Sequence, residues 1–247
     1  MLKSKLIHCL KRNKFLYNLI HSFYWQLKHL ISLMVRTRIE EISWANKKGE
    51  AVKNAFTNLN HPHRKFLVDE ISKFCPFDNV LEIGCGYGPN LYFLGKKFPD
   101  ANFVGIDINP LFVREGNKWL KKERLVNVRL CHSKADNLTK FKDRTFDIVF
   151  TDAVLMYIGK DKIKQIIENM LRISKKALVF LEQDYGHNPG DPQGLGIYRF
   201  GHWQRHYFDL LKTFIKKECI CTVKIPPEVW PGEDWGRREY IIKVTSE

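Results

Sequence analysis

The stretch that most constrains what this chain can fold into is Val80-Leu81-Glu82-Ile83-Gly84-Cys85-Gly86-Tyr87-Gly88-Pro89-Asn90. Val80, Leu81 and Ile83 make the near-continuous apolar run of a parallel strand buried on both faces. Three glycines at alternate positions follow, and then Leu91, Phe93 and Leu94 fall at helical spacing. The pattern predicts a strand, a tight loop and a helix, with something approaching the loop backbone closely. Glycine suits that loop because a Cβ would block the approach, and because such turns use φ values other residues avoid. The amides that open the helix lack intrahelical partners and point at whatever binds there.

The glycines are spaced G-x-G-x-G, not the G-x-G-x-x-G of dinucleotide binders, and Glu82 stands two residues before the first. Further on, Phe103-Val104-Gly105-Ile106-Asp107 reads as a second strand ending in an acid. A carboxylate at that place can accept hydrogen bonds from two ribose hydroxyls. Together these segments resemble the first two motifs of class I S-adenosylmethionine-dependent methyltransferases. The resemblance continues through residues 79–182. It implies a cofactor site of Glu82, Gly84, Gly86, Gly88, Asp107 and Ile108, with Glu82 orienting the loop and contacting the methionine end. In Ser133-Lys134-Ala135-Asp136-Asn137-Leu138, Ala135 and Asp136 are expected to flank the adenine. Many members carry Asp where Lys134 stands. Phe146–Ile158 resembles the fourth motif, whose strand end faces the sulfonium, and brings Asp152 to the cofactor.

From residue 79 onward, strand and helix signals alternate, which implies a parallel sheet covered on both faces. Strands are expected near 79–84, 102–107, 127–131, 146–151 and 177–182, with helices near 89–97, 111–121 and 160–173. After a further helix near 202–215, Glu218–Lys224 and Tyr240–Thr245 read as two more strands. The Pro226-Pro227 and Pro231-Gly232 pairs between them leave no crossover helix, so this last pair should be an antiparallel hairpin. The expected fold is α/β: a seven-stranded, mostly parallel sheet with an antiparallel terminal strand, plus an N-terminal helical extension. That is also the sheet the resemblance implies. A core of this size fits in 247 residues, divided as an extension over 1–56 and a catalytic domain over 57–247.

The net charge of +14 points to an anionic partner: nucleic acid, a phosphorylated substrate or a membrane surface. Much of the excess lies at the N-terminus, where Lys3, Lys5, Lys11, Arg12, Lys14, Lys28, Arg36 and Arg38 all precede the first acid, Glu40. Residues 2–35 place apolar side chains at near-helical spacing. Lys28, His21, His29, Asn18 and Gln26 interrupt the run, which argues against a membrane span, and no cleavage site follows for a signal peptide. Two readings stay open. One is a basic amphipathic helix lying in a membrane interface through Phe23, Tyr24 and Trp25; the other is a helix packed on the catalytic domain. The expected location is cytoplasmic, peripheral at a membrane under the first reading. Six scattered cysteines without a C-x-x-C pair read as reduced thiols, with no metal site expected.

Methyl transfer asks the protein mainly to align nucleophile, carbon and leaving sulfur in a dry site. A hydroxyl nucleophile also benefits from a general base. Candidates lie at the carboxyl ends of the parallel strands: Asp152 and Tyr157 after the fourth, and Glu182, Asp184, Tyr185 and His187 after the fifth. Tyr157 reads equally well as a core residue. Tyr198–Tyr207 reads as the start of a helix in which Arg199, His202, Arg205 and His206 could hold a phosphate or carboxylate. His202 is the favoured member, so Asp152, Tyr157, His187 and His202 stand as the catalytic candidates. The Asn/Asp-Pro-Pro-aromatic motif of many base-nitrogen methyltransferases is replaced by Thr151-Asp152-Ala153-Val154. That lowers the nucleic-acid reading. The acceptor expected is a small molecule or a sugar- or lipid-linked compound, methylated on oxygen or nitrogen. Rival readings are an RNA or protein methyltransferase docking through the basic arm, and a non-catalytic module that keeps the fold.

Overall fold

A computed structural model describes residues 18–20, 22–24, 26–27, 39–48, 59–230 and 239–245. Most of the basic 2–35 segment, including Trp25, lies outside the described residues, as do Pro231, Gly232, Trp235 and Gly236. Residues 18–20, 22–24 and 26–27 are helical, and Leu19, Ile20, Phe23, Tyr24 and Leu27 are exposed.

Two helices precede the sheet, α1 (Ile39–Ala45) and α2 (Pro62–Ser72), the latter with Pro62 in its first turn. Five parallel strands follow: β1 (Asn79–Ile83), β2 (Asn102–Asp107), β3 (Val128–His132), β4 (Phe146–Asp152) and β5 (Ser174–Gln183). The helices α3 (Pro89–Lys97), α4 (Pro110–Lys122) and α5 (Ile163–Ile173) lie between them in sequence. Each position agrees with the apolar periodicity to within a few residues.

Alternation along the central strands builds both faces of the core. Leu81, Ile83, Val149 and Phe180 pack with Ile163, Ile167 and Met170 of α5 on one side. Val80, Ile148, Phe150 and Val179 pack with Leu67 and Ile71 of α2 and Leu91 and Leu94 of α3 on the other. Burial on both faces explains why these strands read as apolar runs.

The expected helix near 202–215 is not what the chain forms. Residues Ile197–Arg199 (β6) and His202–Gln204 (β7) pair as a two-stranded hairpin, and only Tyr207–Leu211 (α6) is helical. Phe200 and Gly201 turn the hairpin at φ 52° and φ 90°, the left-handed pair that matches strand twist. Tyr198 and Trp203 face inward while Ile197 and Arg199 are exposed, a period of two rather than 3.6.

The closing strands β8 (Ile220–Lys224) and β9 (Glu239–Thr245) are antiparallel to each other, and β9 is antiparallel to β5. The sheet order is β3-β2-β1-β4-β5-β9-β8, the seven-stranded arrangement expected. Because strand order reverses between β1 and β4, a crevice opens above their carboxyl ends, where open α/β sheets bind ligands.

Candidate active site

A cavity of about 700 Å³ lies at that crevice. Its floor is the glycine loop. Gly84 has φ +74°, and a Cβ added there would stand 2.2 Å from Val154 Cγ2. Gly86 has φ +57°, and a Cβ added there would project into open space within the cavity. The first glycine is demanded by packing and the second keeps the cradle open to a ligand. Gly88 caps α3 in a left-handed conformation and lies outside the cavity lining.

Asp107, at the end of β2, lines the cavity beside Ile108. Its Oδ2 accepts the Gly86 N–H and its Oδ1 the Asn109 N–H, each at 2.8 Å. Each oxygen keeps a second acceptor site, so the carboxylate braces the loop and can still receive a diol. Burial pushes its carboxyl up, and the two amides and His132 oppose that shift. Ala135 and Asp136 line the same space from the loop after β3. Asp136 pairs with Lys162, whose ammonium also binds Glu41 of α1 at 2.8 Å. Asn109 donates to the backbone carbonyls of Trp44 and Lys47. So α1, which fell within the 1–56 extension, forms part of the cavity wall through Glu41 and Trp44.

Asp152 ends β4 and meets three groups from other elements. His63 Nε2 lies 3.2 Å from its Oδ2, Asn90 Nδ2 donates to that oxygen at 2.9 Å, and Arg64 Nη1 lies at 3.8 Å. Burial works against the charge, but His63, Arg64 and Asn90 outweigh it and hold the carboxyl at about 2. Asp152 is therefore ionised at neutral pH. Glu82 behaves oppositely. Asn90 Nδ2 also donates to its Oε1 at 2.7 Å, while its Oε2 is buried with no hydrogen bond among the described residues. Burial, with Asp152 and Asp107 adding repulsion, pushes its carboxyl up to about 8, so it is protonated at neutral pH. It sits beneath the loop rather than in the cavity lining. Its visible contact is to Asn90, which ties it to Asp152.

Tyr157 lines the cavity with its ring 5.1 Å from that of Trp44. Burial pushes its phenol up to about 12, which makes it a hydrogen-bond donor at neutral pH and not a base. The other two catalytic candidates lie outside the lining. His202 Nε2 is 2.5 Å from Tyr185 Oη on the β6–β7 hairpin. His187 Nδ1 is 2.6 Å from Asp209 Oδ2, which His206 Nδ1 approaches equally, while Lys212 binds the other oxygen. Glu182 is also structural: it accepts the amides of Val154 and Leu155 at 3.0 Å and so holds the turn that carries Tyr157. Arg205, read from the sequence as an anion binder, is fully buried and donates to backbone carbonyls.

The outer wall was missed by sequence reasoning. His61, His63 and Arg64 at the start of α2, together with Trp230, line the cavity. The run there is His61-Pro62-His63-Arg64. Two imidazoles around a proline at a helix N-terminus, just upstream of the glycine-loop strand, are the signal that could have marked it.

The seven-stranded sheet, the glycine cradle and the acid at the end of β2 define a Rossmann-like, S-adenosylmethionine-binding methyltransferase fold. The methyltransferase domain family matches residues 80–177, the stretch that runs from β1 into β5 and carries the glycine loop, Asp107 and Asp152. A tRNA (guanine-N(7)-)-methyltransferase from Porphyromonas gingivalis is 35% identical over 85 residues, covering 33% of this chain and 35% of that protein. O-methyltransferase 3 of Dictyostelium discoideum is 31% identical over 110 residues, covering 43% of this chain and 25% of that protein. The chain thus matches only a quarter to about a third of these relatives' lengths. Among solved structures, a SAM-dependent methyltransferase from Aquifex aeolicus has a TM-score of 0.55 at 15% identity, covering 81% of this chain and 99% of its own. An O-methyltransferase family protein from Burkholderia thailandensis has a TM-score of 0.60 at 15% identity, covering 80% and 59%.

The cofactor of this family is S-adenosylmethionine, which supplies a methyl group activated by a sulfonium. The residues present fit it: the loop leaves space at Gly86, and the Asp107 carboxylate retains acceptor capacity. Gly84, Gly86, Asp107, Ile108, Ala135, Asp136 and Asp152 would hold it, all of them in the cavity lining.

Proposed function

We infer that this protein transfers a methyl group from S-adenosylmethionine to oxygen or nitrogen of a small acceptor, free or carried on a sugar or lipid. The observation that carries this reading is the set of rings that shares the cavity with the glycine loop. Trp44, Tyr157 and Trp230 with His61 and His63 line it, and its volume falls within the range of about 300–1,000 Å³ typical of small-ligand pockets. Aromatic walls with a few polar groups suit a compact acceptor better than a polynucleotide strand. The test is methyl transfer from labelled S-adenosylmethionine to two acceptor sets, a panel of phenols, hydroxy acids, sugars and amines, and total RNA. Label in the small-molecule products supports the reading. Label in RNA alone would replace it with the rival.

A specific observation supports a membrane-proximal version of this reading. The exposed Leu19, Ile20, Phe23, Tyr24 and Leu27 recur at helical spacing within a stretch that is basic and free of acids up to Glu40. Apolar side chains beside lysines and arginines fit the interface of an anionic bilayer. No helix among the described residues is long and apolar enough to cross a membrane. Deleting residues 1–35 is expected to abolish co-sedimentation with phosphatidylglycerol liposomes while leaving S-adenosylhomocysteine binding intact. Equal sedimentation of the two forms rejects the bilayer as partner.

A further inference from the structure

The start of α2 carries two imidazoles that cofactor binding does not require, and they lead to Asp152, which borders the cofactor's part of the cavity. His63 is buried, 6% exposed, and connects two partners. Its Nε2 faces Asp152 Oδ2 at 3.2 Å, and its Nδ1 lies 2.6 Å from Nδ1 of His61. His61 is half-buried, and both rings line the cavity. Trp230 packs on both, with centroids 4.7 Å from His61 and 4.5 Å from His63. An ionised carboxylate, a buried imidazole and a more accessible imidazole are thus linked one to the next, and all three line the cavity.

We propose that His61 is the general base for the acceptor, that His63 and Asp152 form a relay behind it, and that the acceptor atom is a hydroxyl oxygen. This rests on the small-molecule methyltransferase reading above. Proton placement follows from the contacts. Ionised Asp152 accepts only, so His63 presents Nε2–H to it and offers the lone pair of Nδ1 to His61. His61 then carries its proton on Nδ1, which leaves its Nε2 as the one basic nitrogen of the pair. In the reaction the acceptor oxygen forms its bond to the methyl carbon as its O–H bond breaks. The carbon–sulfur bond cleaves with its electron pair remaining on sulfur, and the proton passes to His61 Nε2. The Nδ1 proton of His61 can shift to His63 Nδ1, which places the imidazolium charge against Asp152.

The backbone favours the form reached after proton transfer, because in the resting form the His61 Nδ1–H faces the His63 backbone N–H and cannot accept it. Once His61 Nδ1 has given up its proton it accepts from His63 Nδ1–H and from the His63 backbone N–H, which lies at 3.4 Å. Among the described residues, Arg64 and Glu82 are the charged and titratable groups joined to the relay. Arg64 lies 3.8 Å from Asp152 and donates to Asn90 Oδ1 at 2.8 Å, and Glu82 is joined to Asp152 through Asn90. An amine acceptor can arrive already deprotonated. A hydroxyl must lose its proton during transfer, which is the step a relay of this kind accelerates.

His61 is also the N-cap residue of α2, so the discriminating variant is His61→Asn, since asparagine caps well and is not a base. His61→Asn is expected to keep its melting temperature and its affinity for S-adenosylhomocysteine. Its transfer to hydroxyl members of the panel should fall at least ~100-fold. The wild-type kcat/KM should rise with pH to a plateau, and His61→Asn should lose that rise. A second measurement needs no turnover. Nitrogen NMR of histidine-labelled protein with S-adenosylhomocysteine bound should show His63 protonated on Nε2, a preference lost in Asp152→Asn. If the wild type methylates only amines, or His61→Asn retains its rate on hydroxyls, the base assignment is overturned and the small-molecule reading survives. If no panel member is methylated, the small-molecule reading fails, and the tautomer result then decides the relay. An Nδ1–H tautomer at His63, or one indifferent to Asp152→Asn, overturns it.

Discussion

Asp107→Ala is expected to weaken binding of S-adenosylhomocysteine roughly a thousandfold, as read by isothermal titration. Two contributions add. The carboxylate is placed to receive a ribose diol, and hydrogen bonds to a charged group contribute about 1.5–3 kcal/mol each. A thousandfold corresponds to about 4 kcal/mol, within the range for two such bonds. The same carboxylate also accepts the amides of Gly86 and Asn109, so its removal loosens the cradle as well as the ligand. Asp107→Asn separates these effects. It keeps one acceptor oxygen for a loop amide but cannot receive the diol with both atoms, and its loss should be intermediate. Affinity unchanged in Asp107→Ala would mean that the ribose is held elsewhere.

The second large effect concerns stability. Arg205 is fully buried, and its guanidinium donates to the carbonyls of Leu195 at 2.9 Å and Leu155 at 2.6 Å, and to that of Ile158. It joins the β6–β7 hairpin to the turn after β4. Burial pulls its basicity down, and nearby Tyr207 and Glu182 oppose that. Arg205→Ala strands these carbonyls, at about 1–3 kcal/mol for an unsatisfied buried group, and leaves a void where a long side chain stood. We expect a loss on the order of 4 kcal/mol, typical of removing one partner from a buried polar network. For a chain of this size that lowers the melting temperature by roughly 10 °C. Arg205→Lys should recover little, because an ammonium cannot reproduce the planar fork. The turn that Arg205 holds carries Tyr157 into the cavity, so residual folded protein should also bind acceptors more weakly. A loss below about 1 kcal/mol in Arg205→Ala would show that the hairpin and turn hold each other by packing alone.

Most of the sheet was legible in the sequence because burial on two faces writes a strong apolar pattern. Val80–Ile83, Phe103–Ile106 and Ile148–Thr151 each read as strands and each is one. The Tyr198–His206 segment was misread. Its aromatic and basic residues suggested a helix face, whereas Tyr198 and Trp203 pair across a turn at Phe200-Gly201. The two inward aromatics and the glycine were the evidence available, but three-residue strands are too short for periodicity to separate from a helical turn. Arg205 was misjudged for a different reason. An arginine near histidines looks able to hold an anion until the carbonyls that need it are in place.

The sequence by itself determined the cofactor end of this protein. A glycine loop, the strand before it and the acid that closes β2 are local signals, because backbone conformation and close ligand approach restrict residues one at a time. Gly84 and Gly86 do what the spacing implied, one by packing against Val154 and the other by leaving the cradle open. Only the tertiary structure decided the part of the cavity that we assign to the acceptor. His63 and Asp152 are 89 positions apart, Trp230 comes from near the other end of the chain, and Trp44 enters from the extension. No short-range pattern joins them, since their chemistry depends on distances set by the sheet and by the packing of α1 and α2 over it. Asp152 shows the division in one residue. The motif brought it to the end of β4, and the fold alone put a pair of histidines beside it.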